Sequence, residues 1–131
     1  MRSRILFISG RPEDALRLAQ IVQTLPFWMD HVETIRQART EMQERRYNVI
    51  LTAATVSDGN WLDVLHLTRE SPDQIEVIVT DPHADAQFWA QVLNLGAYDL
   101  LAQPFYEPEV RRILSNACSH LDYGHSPVAA A

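Results

Sequence analysis

Two hydrophobic periodicities alternate five times along this chain, and that alternation limits the fold more than any other feature. RILFI, residues 4–8, is a short run rich in branched side chains, the pattern of a strand buried on both faces. A helix follows: Pro12 suits its first turn, Glu13 and Asp14 suit its positive end, and Ala15, Leu18, Ala19 and Val22 form one stripe. His31 to Ile35 is a weaker second strand. Thr34 and Gln37 then have capping-box spacing before a helix holding Ala38 and Met42. The third strand is YNVILTA, residues 47–53. The turn Ser57-Asp58-Gly59-Asn60 leads into a third helix with Trp61, Leu62, Val64 and Leu65. IEVIVT, residues 75–80, is the fourth strand. A helix over 84–95 carries Phe88, Val92 and Leu95 on one side, with Gly96 as its C-terminal cap. YDLLA, residues 98–102, is the fifth strand. Pro108 opens a last helix with the stripe Val110, Ile113, Leu114, Ala117 and Leu121.

Such an order predicts a parallel sheet covered by helices on both faces. The expected domain is residues 1–122, with a loose tail over 123–131. At 131 residues and 47% hydrophobic content, the chain is long enough to bury roughly two thirds of its unfolded surface. No apolar run reaches the length of a membrane span, and the N-terminal ILFI is too short for a secretory signal. A single cysteine, Cys118, forms no internal disulfide, so the expected location is the cytosol. Net charge is −6, and all eleven basic residues are arginine. An acidic domain without a basic stripe is a poor partner for nucleic acid.

In open α/β sheets, sites lie beyond the carboxyl ends of the strands. Those ends here are Ser9-Gly10, Ala53-Ala54-Thr55, Thr80-Asp81 and Gln103-Pro104. Phosphoryl transfer to protein needs a carboxylate nucleophile, carboxylates for a divalent cation and a fixed positive charge. Ser9, Gly10, Ala53 and Gln103 supply none of them. Asp81 and Asp58 sit on separate loops and read as ordinary turn aspartates. SGRPED matches neither phosphate-binding glycine motif. His31, His66, His83, His120 and His125 fall in different elements, and none has a carboxylate at metal-ligand spacing, so no metal site and no catalytic set is expected.

Four segments carry a resemblance to response-regulator receiver domains of two-component signalling, over about residues 3–121. RILFISGRP fills the place of a family pattern like ILxVDDDP. NVILTAATVSDGNWLDVL fills that of DLVLLDLxLPDGDGLELL, and EVIVTD that of PVIVLTA. GAYDLLAQPF stands against GADDYLVKPF, with Gly96, Ala97, Pro104 and Phe105 at the same spacing. The resemblance implies a doubly wound, flavodoxin-like sheet of five parallel strands in the order 2-1-3-4-5. It also implies where the family's machinery would stand. The phosphoacceptor aspartate falls on Ala53, the two cation-binding acids on Ser9 and Gly10, the lysine on Gln103 and the switch aromatic on Leu100. The hydroxyl residue alone persists, as Thr80. The expectation is a degenerate receiver: no enzyme, no cofactor, no phosphorylation.

The implied role is a phosphorylation-independent signalling module that binds a protein partner or a second copy. In the family, the face made by the fourth helix, fifth strand and fifth helix makes such contacts. Here that face would carry Trp89, Tyr98, Arg111 and Arg112, aromatic and arginine anchors of the kind that dominate interfaces. The alternative is a flavin or metabolite site, with Trp61 stacking on a flat ligand beside Thr52, Thr55 and Ser57.

Overall fold

A computed structural model of the chain describes residues 3–124. The elements run β1 (Ser3–Ile8), α1 (Pro12–Val22), β2 (Phe27–Val32), α2 (Ile35–Glu44), β3 (Val49–Ala53), β4 (Thr55–Val56), β5 (Gly59–Asn60), α3 (Trp61–Arg69), β6 (Glu76–Asp81), α4 (Ala86–Asn94), β7 (Asp99–Ala102) and α5 (Glu107–Gly124). Five strands form one sheet in the order β2-β1-β3-β6-β7, every neighbour parallel. β4 and β5 form a separate antiparallel hairpin ahead of α3. With that hairpin set aside, the order is the expected 2-1-3-4-5, and the expected fourth and fifth strands are β6 and β7. α5 runs to Gly124. His125 and the rest of the expected tail lie outside the described residues.

Alternation along each strand divides the interior into two layers. Ile5 and Phe7 of β1, Val49 and Leu51 of β3, Ile78 of β6 and Leu101 of β7 face α1 and α5. Leu6 and Ile8, Ile50, Val77 and Val79, and Leu100 face α2, α3 and α4. Ile5 to Ile8 are wholly buried, as a central parallel strand requires. α1 presents Ala15, Leu18, Ile21 and Val22 to the first layer, and Val110, Ile113, Leu114 and Ala117 of α5 meet them. The α1 stripe runs through Ile21 rather than Ala19, because Ala19 lies at the stripe's edge and is half-buried.

Two expected elements shift. The second strand lies earlier than His31–Ile35: it starts at Phe27, and Ile35 is already the first residue of α2. Thr34 sets that boundary, since its side chain accepts from Gln37 N. Gln37 reaches back to Glu33 N, one residue short of a capping box. α4 is shorter than expected at both ends. Asp85 caps it by accepting from Phe88 N at 2.8 Å, and Leu95 is a C-cap residue, 44% exposed rather than on the buried side. Gly96, at φ +112°, takes the left-handed turn that ends the helix.

One polar network crosses the lower half of the sheet. Tyr47 is buried, and its hydroxyl lies 2.7 Å from Asp30 Oδ2 and 3.2 Å from Glu41 Oε2. Burial, then the Asp30 carboxylate, pushes its pKa well above the ordinary tyrosine value. Arg4 closes on the same Asp30 oxygen at 3.0 Å.

Candidate functional site

Parallel pairing brings the carboxyl ends of β1, β3, β6 and β7 to one side of the sheet. A cleft of about 620 Å³ opens there. Ser9, Gly10, Ala53, Thr80 and Gln103, the residues singled out at the strand ends, all line it. Arg11, Asp14, Thr55, Ser57 and Asp81 complete the polar lining.

Part of the lining is engaged in its own bonds. Ser9 is buried; its Oγ accepts from Arg11 N at 3.2 Å and its carbonyl accepts from His31 Nε2 at 2.8 Å. Arg11 Nε lies 3.1 Å from Glu13 Oε1 and 3.7 Å from Asp14 Oδ2. A backbone amide and then the Arg11 side chain hold the exposed Glu13 carboxyl below its ordinary value. Asp81 Oδ2 accepts from His83 N. Gly10 has no steric reason to be glycine: a Cβ there would meet nothing within 4 Å. Thr80 stands beside Ala53 in the strand register, and its Oγ1 is buried without a hydrogen-bond partner among the described residues.

What this lining can do chemically follows from its donors. A hard divalent cation takes carboxylate and carbonyl oxygens. Serine, glycine and alanine at the strand ends offer no carboxylate, and the two nearby acids are tied to Arg11 and to the His83 amide. Ser9, Gly10, Ala53 and Gln103 do not fit a Mg²⁺ ion. Leu100 is apart from the cleft, buried in the layer under α2, α3 and α4.

Asp58 has a different task from any ligand. Its Oδ1 accepts from Ile35 N at 2.9 Å and its Oδ2 from Arg36 N at 3.0 Å, so the β4–β5 turn caps α2. Those two amides, Ile35 first, hold its pKa below the ordinary aspartate value.

Trp61 overturns the ligand-stacking expectation. It is 6% exposed, packed edge-on to Phe88 at 6.2 Å between ring centroids, and its backbone amide donates to Ala54 O. Thr52 is buried too, its hydroxyl donating to Ala53 O. Trp89, in contrast, is 49% exposed, with Nε1 donating to Asp99 Oδ1 at 3.0 Å. Tyr98, next to Asp99 in the chain, is partly buried against the first layer, and burial raises its pKa. Arg111 turns away from this pair, to Glu107 at 3.0 Å and Thr24 at 3.4 Å on the α1 side; Arg112 is exposed. Sequence reasoning missed Arg11 and Asp14, one place and one helical turn past Gly10. It also missed Trp28, 52% exposed on β2, because the strand was set too late to include it.

No family model matches the chain, and no curated protein does. Solved structures do. A signal receiver domain assigned to a Luxo repressor protein of Vibrio parahaemolyticus superposes with TM-score 0.85 at 21% identity, over 93% of this chain and 94% of that one. The beryllofluoride-activated NtrC4 receiver domain dimer gives 0.80 at 23%, over 90% and 98%. The receiver domain of a sensor histidine kinase from Pseudomonas aeruginosa PAO1, with a magnesium ion coordinated in its active-site cleft, gives 0.79 at 21%, over 91% and 99%. The fold of this chain is that of response-regulator receiver domains.

Proposed function

We propose that the chain is a receiver-fold signalling module of a two-component type system that works without phosphorylation, through contacts with another protein or a second copy. The observation that carries the reading is the cleft: Ser9, Gly10, Ala53 and Gln103 converge where phosphoryl chemistry would need three carboxylates and a cation. Thr80 is the one hydroxyl kept, and its partnerless Oγ1 fits a group whose former ligand is gone. Leu100, buried at the place of the switch aromatic, supports a single dominant conformation. The contact face proposed is α4–β7–α5, with Trp89 and Tyr98 at its centre, Arg112 beside them and Arg111 on its α1 flank. A half-exposed indole held by Asp99 is a pre-positioned anchor.

The test is incubation with acetyl phosphate and Mg²⁺, followed by intact mass. The expected result is no phosphoryl adduct and no Mg²⁺-dependent change in melting temperature. A stable adduct would overturn the reading. For the face, Trp89→Ala with Tyr98→Ala is expected to abolish partner association; association that survives both would assign the contact elsewhere.

A further inference from the structure

We infer that the cleft at the strand ends is a binding site for a small uncharged molecule with a carboxamide-type edge, an N–H donor beside a carbonyl acceptor. The inference goes beyond the signalling reading, and neither depends on the other.

The floor of the cleft holds a hydroxyl that the fold leaves without a bond. Thr80 is 1% exposed and lines the cleft. Among the described residues its Oγ1 is the only buried side-chain polar atom with no hydrogen-bond partner. Strand register accounts for this. Thr80 lies between Ala53 of β3 and Leu101 of β7, and neither of those side chains donates or accepts. A buried hydroxyl without a partner destabilises the chain that holds it, and such groups are rare in folded proteins. Valine has nearly the same shape and would avoid that cost. A hydroxyl kept at this position is accounted for by a partner that arrives from the cleft.

Size, charge and bonding define that partner. A volume of about 620 Å³ falls within the range of small-molecule sites. A Cβ added at Gly10 would meet nothing within 4 Å, so that side of the cleft is open. The strand ends Ser9, Ala53, Thr80 and Gln103 carry no charge. An anion would meet Asp14 and Asp81, with an arginine already engaged: Arg11 Nε lies 3.1 Å from Glu13 and 3.7 Å from Asp14. A cation would meet Asp81, whose Oδ2 already accepts from His83 N at 3.2 Å, and neutral groups beneath it. An uncharged molecule meets neither penalty. Gln103 is half-buried in the lining, and a carboxamide presents donor and acceptor side by side. Its complement is a second edge of the same kind, joined by two bonds, the pairing by which glutamine reads a nucleobase edge. The Thr80 hydroxyl can add a third bond as donor or acceptor. Ala53, Ala54, Val56, Pro82 and Pro104 supply apolar walls for the body that carries the edge.

The experiment is an amide NMR titration of the full chain with benzamide, benzoate and benzamidine, which share one planar shape and are neutral, negative and positive. The expected result is a saturable shift of the Ala53, Thr80 and Gln103 signals with benzamide, and binding of the two ions weaker by about tenfold or more. Gln103→Met is expected to weaken benzamide about tenfold or more, through two lost bonds. Thr80→Val is expected to weaken it about fivefold, through one. The same change is expected to raise the melting temperature of the free chain, because it removes an unpartnered hydroxyl. Thr80→Ser keeps the hydroxyl and is expected to bind benzamide as the parent does. A threonine with a purely structural role would lose stability on change to valine. Benzamide without a saturable shift, tighter binding of either ion, affinity indifferent to both Gln103→Met and Thr80→Val, or a Thr80→Val chain that melts lower or fails to fold would each overturn the inference.

Discussion

Asp58 sits in a hairpin turn, yet its two oxygens cap a helix that begins 23 residues earlier in the chain. Both amides stabilise the ionised form, so its pKa is lower folded than unfolded. The sign follows from linkage: the stabilisation is present above the ordinary aspartate value and is lost as pH falls through the lower folded value. Asp58→Asn keeps an acceptor but removes the charge. Its melting temperature is expected to trail the parent's at pH 7, with a gap that closes as the solution is acidified below about pH 4. A gap constant with pH would mean the charge does nothing there. Asp58 illustrates what a residue-by-residue reading can miss. Its type and turn position announce a capping preference, but the helix it caps is chosen by tertiary contact. The three tryptophans make the same point. Trp28, Trp61 and Trp89 have one chemistry and three environments: edge strand, buried layer and half-exposed helix face.

At the scale of elements, the β4–β5 hairpin and α3 depend on one small residue. A Cβ at Gly59 would meet Asp63 Oδ2 at 2.5 Å and Ile35 Cδ1 at 2.7 Å. Asp63 is the return half of the capping box with Asn60, accepting from Asn60 N at 2.9 Å. Ile35 is the residue whose amide Asp58 caps. Gly59→Ala therefore strains the caps of α3 and α2 together and is expected to cost about 1–3 kcal/mol in urea unfolding. Gly10→Ala, with nothing within 4 Å of its Cβ, is expected to stay within about 0.5 kcal/mol. Equal losses at the two glycines would show that backbone freedom, and not packing, governs both. Element boundaries were legible where a local backbone signal was strong, as for Pro12 at the start of α1 and Gly96 at the turn after α4. They failed at β2, whose mixed sequence F-W-M-D-H-V shows no clean alternation, because an edge strand is buried on neither face completely.

For the whole molecule, the cleft offers a test by restoration. A variant carrying Ser9→Asp, Gly10→Asp, Ala53→Asp and Gln103→Lys places three carboxylates and an ammonium at the strand ends. Like-charge repulsion is expected to lower its melting temperature in metal-free buffer, and saturating Mg²⁺ to restore about 1–3 kcal/mol by binding the folded state, while the parent stays indifferent. A variant blind to Mg²⁺ would mean the cleft has lost the shape as well as the charge. The layered architecture and the meeting of Ser9, Gly10, Ala53, Thr80 and Gln103 could be derived from the sequence alone. Period-2 and period-3.6 patterns record burial directly, and a parallel sheet must gather its strand ends on one side. Tertiary structure alone decided that Trp61 packs inward, that Arg111 leans to α1 and that Asp30 is tied to Arg4 and Tyr47. Those outcomes depend on pairing between residues far apart in the chain, and local periodicity carries no information about which distant segment a residue will meet.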